Sequence, residues 1–292
     1  MNTTFAAIEH YFPSLTQYFK EVNDFRQQSK VEYPAELILW MGVIQRLIGV
    51  KSNNEFESIL KTSPEIEKNI FSLPGISGDE LPSIDDFCYF LQKLPPMELH
   101  KIRRKMLVAL ERKKILSKLE TKDGYLLLAV DGVQTNSTKR EIEHSIYCDA
   151  KDGTRTYHQY FLEAKIVSSN GLVFSVDSEV VENPTEEFDK QDCELKAAKR
   201  LLERIAREHP HFSFWILGDA LYCNSVIMDI CKQHKWKYSS TFKGESKYPK
   251  LLGEINAELN FKQRHNTVRH LIKKKQLHRT LYRIALVQWC KL

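Results

Sequence analysis

Two short stretches of this chain end alike. "LLLAVDG" (residues 126–132) and "FWILGD" (residues 214–219) are apolar runs that finish on a carboxylate with a glycine beside it. Such short runs, bounded by Gly and Asp, read as strands covered on both faces. An aspartate is rarely buried without a partner, so Asp131 and Asp219 are expected where their strands leave the core. If the strands are neighbours, both carboxylates emerge at one sheet edge. Like charges held close together are costly unless a cation or a proton is shared between them. Oxygen ligands of this kind suit Mg2+ or Mn2+. Two such ions can activate a nucleophile and stabilise the leaving oxygen in phosphoryl transfer. The plainer alternative is that each Asp starts its own turn, Asp131-Gly132 closing an ordinary strand.

The elements that would hold these residues follow one another after Thr121. "GYLLLAVDG" reads as a strand. "YHQYFLEAKIVSS" and "GLVFSVDSEVV" are two more, joined through Asn170-Gly171, a strong hairpin dipeptide. "DCELKAAKRLLERIAREH" predicts a helix, with Leu195, Ala198, Leu202 and Ile205 at helical spacing. A strand at "HFSFWILGDA", a helix at "SVIMDICKQH" and a strand at "WKYSSTF" come next, and "PKLLGEINAEL" predicts one more helix. That order describes a mixed sheet with helical crossovers.

Residues 1–120 have a different texture and predict helices. "YPAELILWMGVIQRLIGV" is apolar nearly all round after Pro34, as the central helix of a bundle would be. Ser52 or Asn53 caps a short helix, and Ser83 with Asp86 forms a capping-box pattern ahead of Phe87, Phe90 and Leu91. After Pro95-Pro96 a basic amphipathic helix is expected from Met97 to about Lys118, carrying Lys101, Arg103, Arg104 and Lys105.

The bulk numbers fit a globular chain: 292 residues, 42% hydrophobic and 28% charged. The formal net charge of +5 is uneven, because residues 259–292 hold nine Lys or Arg and no Asp or Glu. Only that tail argues for a polyanion. The 6 cysteines form no C-x-x-C pair, so neither a zinc site nor a disulfide framework is indicated. His144, His158, His209 and His211 show no ligand spacing with them. No secretory pattern, membrane span or phosphate-cradling Gly-rich loop is present, so a cytoplasmic protein without a nucleotide cofactor is expected.

Asp131-Gly132, the hairpin, "DCELKAAKRLLERI" and "GDALYCNSVIMDICKQHKWKY" together resemble the catalytic domain of DDE-type insertion-sequence transposases. The helical part that includes "LPSIDDFCYFLQKL" resembles them too. The resemblance implies a ribonuclease-H-like mixed sheet flanked by helices over residues 121–261, after an all-helical region at 1–120. It implies that Asp131 and Asp219 are catalytic ligands of Mg2+ (or Mn2+), two ions in a complete site, and that double-stranded transposon ends are cut and rejoined by a homo-oligomer. Asp192 and Glu194 would then be accessory groups near the metal site, and Lys101, Arg103, Arg104 and Lys105 of the basic helix would be the contacts to DNA phosphates. Tyr222 and Asn224, by their position just after Asp219, are candidates to fix the loop that orients it.

The chain departs from that pattern after Asp219. The family's third acid, a Glu in its own motif beyond an inserted β-rich segment, has no match here. Glu254 and Glu258 are the only substitutes by position, but they lack the surrounding motif, and the plainer reading puts them on the solvent face of a surface helix. The basic tail at 262–292 is either a DNA-backbone contact strip or a stretch outside the family's pattern, through an early stop or a shifted reading frame. The function expected is therefore a transposase-like protein whose metal-dependent strand cleavage and transfer is incomplete. The alternative is a catalytically inactive DNA-binding remnant or a regulatory partner of a full-length transposase.

Overall fold

In a computed structural model of the protein, residues 2–72, 74–78, 80–182 and 192–241 are described. The helix expected at "PKLLGEINAEL", with Glu254 and Glu258, and the basic tail lie outside these residues. The chain divides between Lys118 and Leu119 into two compact units.

The first unit is a helical bundle of α1 (Asn2–Tyr11), α2 (Leu15–Lys20), α3 (Ala35–Leu47), α4 (Asn53–Thr62), α5 (Pro64–Ser72), α6 (Ile84–Lys93) and α7 (Pro96–Arg112). Helix α3 is buried on almost every side, through Leu37, Ile38, Leu39, Trp40, Met41 and Ile44. Phe5 and Phe19 pack on Trp40 with ring centroids 5.1 and 5.3 Å away, and the Trp40 indole N–H donates to Thr16 Oγ1 at 3.1 Å. Ser52 caps α4 by accepting from Glu55 N, and Ser83 caps α6 by accepting from Asp86 N. Helix α7 ends at Arg112, short of the expected Lys118. Lys114 takes a left-handed φ of 56° there, and Ile115 N reaches back to Leu110 O at 2.9 Å, the closing bond of a Schellman turn.

The second unit is built on a six-stranded sheet: β1 (Leu126–Thr138), β2 (Ile146–Asp149), β3 (Arg155–Val167), β4 (Val173–Val180), β5 (Phe214–Gly218) and β6 (Lys237–Ser240). Helices α8 (Glu194–Glu208) and α9 (Ser225–Gln233) make the crossovers to β5 and β6. Strand β1 pairs antiparallel with β3 and parallel with β5, and β5 runs parallel to β6. The far edge of β3 carries β2 along its start and β4 along its remainder. This is a ribonuclease-H-like α/β arrangement, as expected. Leu126, Leu128, Val130, Leu162, Ala164, Ile166, Phe214 and Ile216 form the sheet's share of the core.

Two strand features differ from the sequence reading. Strand β1 does not stop at Asp131 but runs on to Thr138, its last residues mostly exposed and held by β3. Strand β2 was not expected at all. Its turn to β3 uses Asp152-Gly153, with Gly153 at φ 80°, and Arg155 stacks over the Tyr147 ring at 3.9 Å while pairing with Asp149.

Helix α8 buries Ala197, Ala198, Leu201, Leu202, Ile205 and Ala206 against the sheet, packing on β4 and β3. Its edge is fastened by two arginines. Arg204 donates to Asp177 Oδ2 (2.5 Å), Glu179 Oε2 (2.6 Å) and the Ser178 carbonyl (2.7 Å). Arg200 bridges Glu179 and Asp192, at 2.6 and 2.8 Å.

Candidate functional site

The parallel pairing of β1 with β5 ends at Ala129↔Leu217. Two residues beyond that last pair stand Asp131, still inside β1, and Asp219, just past the end of β5, so both lie at the carboxyl end of the parallel pairing. Beyond that point β1 continues with β3 alone, so the sheet opens beside the two carboxylates. Crevices outside the carboxyl ends of parallel strands are where α/β sheets bind ligands.

Both aspartates are exposed, so neither needs a buried counter-ion. Each uses one oxygen locally. Asp131 Oδ1 accepts from Gly132 N at 2.9 Å, and Asp219 Oδ1 accepts from Leu221 N at 2.7 Å. Asp219 thus does start its own turn, as the plainer reading holds, while Asp131 lies inside a strand opposite Glu163 of β3.

The neighbouring glycines have a packing cause. A Cβ on Gly132 would stand 2.5 Å from Tyr160 Cε1, and one on Gly218 would stand 2.8 Å from Tyr222 Cβ. Each glycine lets a tyrosine ring press against the strand beside an aspartate. The two hydroxyls then meet at one carboxylate: Tyr222 Oη donates to Glu194 Oε1 at 2.6 Å, and Tyr160 Oη donates to Glu194 Oε2 at 3.3 Å. Burial, followed by the bond to Glu194, pushes the Tyr222 phenol well above its ordinary pKa. Burial and the Glu194 charge raise Tyr160. The charges of Asp131 and Asp219 act on both phenols in the same direction. Tyr160 was missed by the sequence reading, and its one signal is the glycine next to Asp131.

Of the four accessory candidates, Glu194 and Tyr222 join this cluster. Asp192 is held instead by Arg200 and accepts from Glu182 N at 3.2 Å. Asn224 caps α9, its Oδ1 accepting from Ile227 N at 3.1 Å while its Nδ2 donates to Leu221 O. Asn224 thus links Leu221, two residues after Asp219, to the start of α9.

The expected two-ion Mg2+ or Mn2+ site is not formed by the described residues. Among the described residues no group of three or more His, Cys, Asp or Glu side chains is arranged to hold a metal ion. Asp131 and Asp219 are only two carboxylates, and Glu194 is turned to the tyrosines.

In the first unit, Lys101 pairs with Glu98 at 2.6 Å, its own side chain 58% exposed, and Lys105 pairs with Glu21 over the Tyr18 ring. Arg103 NH2 lies 3.3 Å from His100 Nδ1, and Arg104 is exposed. No helix among the described residues is long and apolar enough to cross a membrane.

No family model matches the chain, and no curated protein matches it. Among solved structures it is similar to the piggyBac transposase in a synaptic complex with hairpin DNA, at 9% identity and a TM-score of 0.36 over 83% of this chain and 51% of that one. It is also similar to the Drosophila P element transposase in a strand transfer complex, at 9% identity and a TM-score of 0.30 over 82% of this chain and 47% of that one. The chain thus spans about half the length of each.

Proposed function

We propose that this protein is a transposase-like DNA-binding protein of the DDE class, which engages double-stranded DNA ends and does not by itself complete strand cleavage and transfer. The observation that carries the reading is the matched position of Asp131 and Asp219 at the open end of the β1/β5 pair. The resemblance of the surrounding segments to insertion-sequence transposases, seen in the sequence itself, adds to it. A carboxylate pair with no third member among the described residues favours binding over cutting, because phosphoryl transfer of this type needs the reacting groups rigidly placed. The domains follow: a helical region that grips DNA phosphates through α7, and an α/β unit that meets the DNA end. Self-association, or assembly with a full-length transposase, is the partnership this reading implies.

The test is binding and nicking in one experiment. A labelled duplex carrying the DNA that flanks the protein's own gene is incubated with the chain, with Mg2+ in the buffer. The duplex should be bound with an affinity that falls linearly with salt on a log–log plot. Changing Lys101, Arg103, Arg104 and Lys105 to Ala should flatten that slope by about 0.9 for each phosphate that is no longer neutralised. No Asp131-dependent nick should appear. A duplex left unbound at low salt would reject the DNA reading, and a nick that vanishes in Asp131→Asn would replace it with an active enzyme.

A further inference from the structure

We infer that Glu194 is a positioning residue for the aspartate pair, acting through Tyr160 and Tyr222, which it holds from opposite sides. The inference rests on Asp131 and Asp219 being the working groups of the site. Each ring presses on backbone immediately next to one aspartate, at Gly132 and at Gly218, closely enough that a single methyl on either strand would collide with it. Tyr222 is buried, and its hydroxyl bond to Glu194 is short at 2.6 Å. Tyr160 reaches the other carboxylate oxygen. Two elements far apart in sequence, β3 and the loop after β5, therefore converge on the first side chain of α8.

The consequence is mechanical. Strands β1 and β5 are no longer hydrogen-bonded to each other at the level of Asp131 and Asp219, so backbone pairing does not fix the spacing of the two carboxylates there. The tyrosine wedges do. A carboxylate suits the task because it accepts two hydroxyl bonds at once, and charge-assisted O–H···O⁻ bonds are stronger than neutral ones. Alanine at position 194 leaves both hydroxyls without that acceptor. Glutamine keeps one acceptor oxygen and is the conservative variant.

The full chain is labelled with 13Cγ-aspartate, and the resonances of Asp131 and Asp219 are assigned by their loss in Asp131→Asn and Asp219→Asn. Glu194→Ala should shift both resonances, and Glu194→Gln should shift them less. Tyr222→Phe should move chiefly the Asp219 resonance, and Tyr160→Phe chiefly that of Asp131. A residue that merely starts α8 would lower thermal stability and leave both resonances in place, and that result would overturn the inference. Should Glu194→Ala fail to fold, the two Tyr→Phe variants, which remove one oxygen each, decide the matter by the same shifts. Duplex binding by these proteins reads the DNA proposal separately, since the resonances report the brace whether or not DNA is bound.

Discussion

Replacing Arg204 with Ala should cost the second unit about 3 kcal/mol or more, the loss typical of removing one partner from a buried ion pair. Arg204 is the inner of the two arginines that fasten α8 to β4, with its side chain 14% exposed. It sits against Asp177, whose residue is 4% exposed. Truncation removes the guanidinium that balances Asp177 and Glu179 together, and also the donor to the Ser178 carbonyl. Arg200 still reaches Glu179, so the damage should centre on Asp177. The double variant Arg204→Met/Asp177→Leu should recover most of the loss, because an apolar pair of similar volume replaces a buried charge pair at little cost. Urea unfolding of the single and double variants measures both effects. Equal stability of wild type and Arg204→Ala would mean that the clamp adds nothing.

Gly218→Ala should be nearly as severe, at about 2–3 kcal/mol, the upper part of the range for overpacking a filled core. The added methyl meets Tyr222 Cβ at 2.8 Å, Cγ at 3.0 Å and Cδ2 at 3.1 Å, the root and inner edge of the side chain in a residue that is 1% exposed. Gly132→Ala collides with the outer end of the Tyr160 ring, which can tilt, so it should cost less. The cause is tested by coupling. Gly132→Ala in a Tyr160→Ala background should be close to neutral, giving the strong non-additivity of residues in contact. Additive losses would show that the glycines serve backbone conformation and not the tyrosines.

Much of this fold was legible in the sequence because its signals are local. The capping residues Ser52 and Ser83, the all-apolar α3, the Asn170-Gly171 hairpin and the amphipathic α8 each carry their own pattern. Strand β1 was read short because "VQTNST" is mostly exposed, so its strand form comes from pairing with β3 and leaves no alternation to read. Strand β2 was missed although Asp152-Gly153 marks its turn, since "IYCD" is only 4 residues long and none of them is buried, so no alternation can be read. The aspartates were visible through their glycines, but the reason for those glycines is tertiary: Tyr160, Tyr222 and Glu194 meet only after folding. The basic cluster of α7 was legible as well, but the partners of its lysines were not. Two of its lysines pair with Glu98 and Glu21, and the second acid lies far away in sequence.

The most direct measurement of the central claim compares duplex binding by the wild type and by Asp131→Asn/Asp219→Asn in metal-free buffer. Asparagine keeps the Oδ1 acceptors used by Gly132 N and Leu221 N, and both positions are exposed, so the fold should be undisturbed. If the open end of β1 and β5 faces DNA, each aspartate repels phosphate, by about 0.5 kcal/mol for a unit charge roughly 8 Å away in water. The double variant should then bind roughly fivefold tighter at low salt, and the gap should close as salt screens the charges. Identical affinities at every salt concentration would contradict the account, and so would a duplex that neither protein retains.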